Sequence, residues 1–88
     1  MNNPNNFDVK NIILFGSYAW GDPHEYSDID IAIIAKDFKK DYFGTIRALA
    51  KYIRTVDARI EIKGFTPEEF VDEHPLAWEI KKHGITIK

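Results

Sequence analysis

At 88 residues, with 44% hydrophobic and 14% aromatic side chains, the sequence holds material for one hydrophobic core, so a single domain over residues 1–88 is expected. The absence of cysteine excludes disulfides and thiolate-bound zinc and fits a reducing, cytoplasmic setting. A formal charge of −2 offers no basic footprint for polymeric nucleic acid, and no signal-like or membrane-spanning apolar run is present, so a soluble, unprocessed chain is expected.

Residues 1–9 are polar and Asn-rich and are expected to form a flexible start. Residues 11–15 (Asn-Ile-Ile-Leu-Phe) form a short apolar run ending at Gly16, which suits a buried strand. The polar segment 22–27 reads as a turn. In residues 28–35 isoleucines occupy alternate positions, the mark of a second strand. Over residues 41–56, Tyr42, Phe43, Ile46, Leu49, Ala50 and Ile53 recur at helical spacing, so one helix face is apolar and can cover a sheet, with Gly44 weakening the first turn. Residues 59–63 alternate, with Ile60 and Ile62 on one side and Arg59, Glu61 and Lys63 on the other, which predicts a third strand. Thr66, Pro67 and Glu69 resemble a capping box opening a short helix through Val71. His74-Pro75 opens a last helix containing Leu76, Ala77, Ile80 and a core Trp78, with Gly84 as its C-terminal cap before Ile85-Thr86-Ile87.

The chemistry concentrates in Gly16-Ser17, ten intervening residues, and Asp28-Ile29-Asp30. Residues two apart in a strand share a face, so Asp28 and Asp30 project together while Ile29, Ile31 and Ile33 pack on the other side. Two close carboxylates are mutually destabilising unless a cation lies between them. Magnesium takes one or two protein carboxylates and completes its shell with water and substrate phosphates, so the pair points to a phosphorylated substrate as well as a metal. Gly16 lets the backbone approach a phosphate, and the Ser17 hydroxyl and nearby amides can bond it. Taken singly, Gly-Ser is most often a turn, with Ser17 capping a helical turn through Tyr18, Ala19 and Trp20. Asp-x-Asp alone is often a solvated strand edge. Together they set a phosphate cradle beside a metal cradle, and no structural need calls for both.

The pattern Gly16-Ser17, ten residues, Asp28-x-Asp30 resembles the signature of the DNA polymerase β-like nucleotidyltransferase superfamily, and the chain length and the segment 65–70 resemble its minimal nucleotidyltransferase members. The resemblance implies an α+β fold in which a small mixed sheet of three to four strands is backed by helices on one face. It implies a magnesium-dependent transfer of a nucleoside monophosphate from a nucleoside triphosphate, ATP foremost, to a hydroxyl. Asp28 and Asp30 would bind two Mg2+ ions, and Gly16 and Ser17 the triphosphate. A third carboxylate on the neighbouring strand matches Glu61, with Asp57 as competitor, and both share the parity of Arg59 and Lys63. The resemblance also implies a HEPN-like helical protein as partner and acceptor, with the chain as the antitoxin of the pair.

Two departures stand out. The family's Gly-Ser-Arg-x-Arg-Gly run is here Gly16-Ser17-Tyr18-Ala19-Trp20-Gly21, without its cations, and glutamate replaces aspartate at the third position. They motivate an alternative reading, a catalytically weak antitoxin that neutralises a partner by contact through Tyr18 and Trp20. A modifier of small molecules such as aminoglycosides would need a further domain. His24, His74 and His83 lack the paired spacing of a zinc site and are read as surface residues, His24 lying in the loop before Asp28. Arg47, Lys51 and Arg54 form a solvated flank of the long helix, and Glu68, Glu69 and Asp72 are helix-start and surface charges.

Overall fold

Four consecutive residues of the second apolar run, Ala32, Ile33, Ile34 and Ala35, are buried, which a strand achieves only when both its faces are covered. A computed structural model describes residues 7–19, 21 and 28–88. Its elements run β1 (Val9–Phe15), β2 (Ile29–Ala35), α1 (Asp37–Lys40), α2 (Tyr42–Ile53), β3 (Ile60–Phe65), α3 (Pro75–His83) and β4 (Ile85–Thr86). They form one four-stranded mixed sheet in the order β3-β2-β1-β4. β1 pairs antiparallel with β2 and β4, and β2 pairs parallel with β3. The parallel pair needs a crossover, and α1 and α2 supply it.

Strand alternation sorts the core into two clusters. Ile33 and Ala35 pack with Phe38 of α1 and Leu49 of α2, joined by Ile31, Ile46, Ile53 and Ile62. Ala32 and Ile34 face the other way and pack with Ile13, Phe15, Phe65 and with Ala77 and Ile80 of α3. The α+β class and the mixed sheet agree with expectation, and α1 and α2 back one face as expected. The correction is that α3 covers part of the opposite face as well.

Local chemistry explains where elements depart from their expected bounds. The single expected helix over 41–56 is two: α1 ends at Lys40, and Asp41 leaves the helical region before capping α2, its carboxylate accepting the Gly44 N–H at 3.0 Å. A Cβ at Gly44 would collide with that carboxylate, so the glycine that costs helix propensity is what lets the cap close. The stripe that α2 buries runs through Thr45, Ile46, Leu49 and Ile53, leaving Phe43 73% exposed against the edge of Tyr42.

The Thr66–Glu69 capping box forms reciprocally, with Thr66 N donating to Glu69 Oε1 (2.9 Å) and Glu69 N to Thr66 Oγ1 (3.2 Å). It closes turns rather than the short helix expected there. α3 opens as expected with Pro75 at its first turn, and His74 proves to be its N-cap, Nδ1 accepting the Ala77 N–H at 3.2 Å. Trp78, expected in the core, is 41% exposed with Lys82 over its ring, since the buried face of α3 is set by Ala77 and Ile80.

Candidate active site at one end of the sheet

Strand register assembles the acidic residues. Phe15, the last residue of β1, lies opposite Asp30, and Asp30 lies beside Glu61 across the parallel pair. Neighbouring strands are about 4.8 Å apart, so side chains of the same parity at paired positions are adjacent. Asp28 immediately precedes β2, two residues before Asp30, and its negative charge acts on Asp30. Asp28 and Glu61 are exposed and Asp30 half-buried. Asp30 shares its parity with Ala32 and Ile34, so the acidic residues continue the face that α3 covers further along.

The Gly-Ser turn closes over this end. Gly16 has a positive φ of 78°, and its C=O accepts the Ala19 N–H at 3.0 Å, turning the chain out of β1. A Cβ at Gly16 would run into the Asp30 carboxylate. Glycine is therefore required twice, once by the left-handed backbone and once by the approach of that side chain. Ser17, next in the turn, is half-buried.

Burial raises the Asp30 carboxyl above the ordinary carboxylate range, the negative charges of Glu61 and then Asp28 push it further, and Lys63 acts in the opposite sense. The charge on Asp30 is thus left under-compensated by the protein itself, the condition that a bound cation relieves. Asp57 behaves differently. Its carboxylate accepts from Arg59 Nε (3.1 Å), Arg59 Nη2 (2.8 Å) and the Arg59 backbone N–H (2.9 Å), and these bonds hold it down at about 2. Of the two candidates for the third carboxylate, Glu61 stands beside Asp30, and Asp57 is engaged by Arg59.

The donor set fits a hard divalent cation: the groups are oxygens, negatively charged, open to solvent on one side and cleared on the other by Gly16. Among the described residues no three histidine, aspartate or glutamate side chains converge closely enough to hold a metal ion by themselves, Asp28, Asp30 and Glu61 included.

Two basic residues were passed over in the sequence although alternation had set them with Glu61. Lys63 acts on Asp30 electrostatically, and Arg59 Nη1 donates to the Tyr18 hydroxyl at 3.0 Å. Tyr18 is half-buried beside this contact. Trp20, His24 and the polar turn 22–27 lie outside the described residues, as does most of the expected flexible start. Arg47, Lys51 and Arg54 are exposed along α2, as expected of a solvated flank. Among the described residues no helix is long and apolar enough to cross a membrane.

A family model described as Polymerase beta, Nucleotidyltransferase matches residues 3–88. Among curated proteins, "Putative protein adenylyltransferase MJ0604" of Methanocaldococcus jannaschii is 47% identical over 55 residues, covering 60% of this chain and 54% of that protein. "Putative protein adenylyltransferase MJ1305" of the same organism is 58% identical over 33 residues, covering 38% of this chain and 22% of that protein. The chain thus spans about half the length of the first relative and less of the second.

Proposed function

The chain belongs to the polymerase β nucleotidyltransferase family, and from that premise we propose that it transfers a nucleoside monophosphate, AMP from ATP, to a hydroxyl on a partner protein. The observation that carries this reading is the pairing of Asp30 with Glu61 across adjacent strands, beside Asp28 and directly under Gly16. The names of the two relatives, each "Putative protein adenylyltransferase", support AMP as the group and protein as the acceptor.

In this reading Asp28, Asp30 and Glu61 hold two Mg2+ ions. When bound, these supply charge neutralisation and in-line alignment of the attacking and leaving oxygens. The Gly16-Ser17 turn receives the triphosphate through its amides and the Ser17 hydroxyl. The acceptor oxygen forms a bond to the α-phosphorus as the bond from that phosphorus to the β-phosphate oxygen breaks, and pyrophosphate leaves with the electron pair. The hydroxyl proton passes to the Glu61 carboxylate, which is exposed and so can meet an acceptor arriving from outside.

That exposure suits a macromolecular acceptor, and we propose a HEPN-type helical protein, with this chain as its antitoxin. The test is co-expression with such a partner, followed by mass spectrometry for added nucleotide with wild type and with Asp30→Asn. Modification by wild type and none by the variant is expected. Modification by both would refute the carboxylate mechanism. A stable complex without modification would favour neutralisation by contact.

A further inference from the structure

A triphosphate together with the carboxylates of Asp28, Asp30 and Glu61 carries more negative charge than two magnesium ions offset, yet residues 16–21 contain no lysine or arginine. We propose that Arg59 is the cation that receives the triphosphate in this chain, held ready for it by Asp57 and Tyr18. The inference rests on the nucleotidyltransferase reading and adds to it a binding residue from a different element than the Gly-Ser turn.

Three observations carry it. The first is position: Arg59 directly precedes β3, its C=O accepting the Ile29 N–H at 3.0 Å, one residue ahead of the Ile29–Ile60 pair. It therefore stands at the acidic end of the sheet, two residues before Glu61. The second is reach. The guanidinium crosses to the segment that follows β1, donating from Nη1 to the Tyr18 hydroxyl at 3.0 Å and lying 5.9 Å from the centre of the Tyr18 ring. One cation thus ties Asp57, ahead of β3, to Tyr18, the residue that follows the Gly-Ser pair, on the side of the sheet end proposed for the phosphates.

The third is preparation. Asp57 takes Nε and Nη2 in a two-point contact at 3.1 and 2.8 Å. With the Tyr18 contact, the guanidinium is fixed in plane while its side chain stays 48% exposed. A guanidinium has further N–H donors beyond those used here, and its planar fork matches phosphate oxygens. An arginine already ordered loses less freedom on meeting its ligand than a free one. Asp57 and Tyr18 are positioning residues in this account, since they act through Arg59.

The test is calorimetry of a non-hydrolysable ATP analogue with Mg2+, alongside Mn2+ binding alone followed by electron paramagnetic resonance, on wild type, Arg59→Gln, Arg59→Lys and Tyr18→Phe. Arg59→Gln is expected to weaken triphosphate binding by about ten- to a hundredfold and to leave Mn2+ binding unchanged. Arg59→Lys should recover part of the loss, and Tyr18→Phe should lose less than Arg59→Gln. Equal triphosphate affinity in wild type and Arg59→Gln overturns the inference and leaves the nucleotidyltransferase reading standing. A parallel loss of Mn2+ binding overturns it too, by showing that Arg59 supports the fold of the site. No triphosphate binding by wild type overturns both.

Discussion

Both ends of β2 are acidic, and they are built in opposite ways. Beyond its C-terminal end, Asp37 accepts the Asp8 N–H at 2.9 Å, Asp41 caps α2, and Asp8 meets Lys10 and Lys36 at 3.2 and 3.5 Å, which lowers its carboxyl below the ordinary range. Each carboxylate there has a donor and a structural task. At the N-terminal end, Asp30 has Glu61 and Asp28 as neighbours and its carboxyl is raised. Acidity alone therefore does not mark the proposed site in this molecule. What marks it is negative charge that the fold concentrates without supplying enough positive charge to match it.

The contrast is sharpest for activity. Asp30→Asn should lower nucleotide transfer by about a thousandfold or more, several kcal/mol on the barrier, without lowering the melting temperature, whereas Asp37→Asn should leave transfer within about twofold. Comparable losses from both would erase the distinction. Gly16→Ala comes next: the positive φ costs a residue with a Cβ about 1–2 kcal/mol, and the new methyl displaces the Asp30 carboxylate. Chemical denaturation should show that modest destabilisation, and transfer assays a larger loss than it explains. Asp41→Ala should cost about 1 kcal/mol through the lost cap, with transfer unchanged.

Smaller effects separate the two ends by pH. Because the fold raises the Asp30 carboxyl, its protonated form favours the folded state. That contribution is complete below the ordinary carboxylate pKa and is lost as pH rises through the raised value. Asp57, lowered to about 2, acts the other way, stabilising above the ordinary pKa and losing that stabilisation as pH falls toward about 2. Urea unfolding of metal-free protein across this range should show Asp30→Asn relieving the loss on the rising side, with saturating Mg2+ giving similar relief in wild type. A curve unchanged by the substitution would remove Asp30 as its source. Least of all, Asp8→Asn should shift the urea midpoint only slightly, and less at high salt, as exposed ion pairs do.

Much of this arrangement was legible from periodicity. Alternation in β2 and β3 put Asp28 with Asp30 and Glu61 with Lys63, and the Gly-Ser turn after an apolar run set the other side of the site. Alternation could not choose between Glu61 and Asp57, which share a parity. Register placed Glu61 beside Asp30, and a local bond to Arg59 engaged Asp57. The four residues of α1 escaped notice because only Phe38 in them is buried and no period develops. Trp78 was misplaced because its size suggests burial, while its position between Ala77 and Ile80 turns it toward solvent. Which strands pair in parallel is a long-range choice, and it alone brings Arg59 to the edge of the site.

The most direct test is paramagnetic line broadening by Mn2+ in the presence of a nucleoside triphosphate, read amide by amide by NMR. Broadening should centre on residues 16–17, 28–30 and 61 and spare residues 8, 37 and 41. Broadening centred on the latter group, or spread evenly over both, would contradict the assignment of the nucleotide site to the N-terminal end of β2.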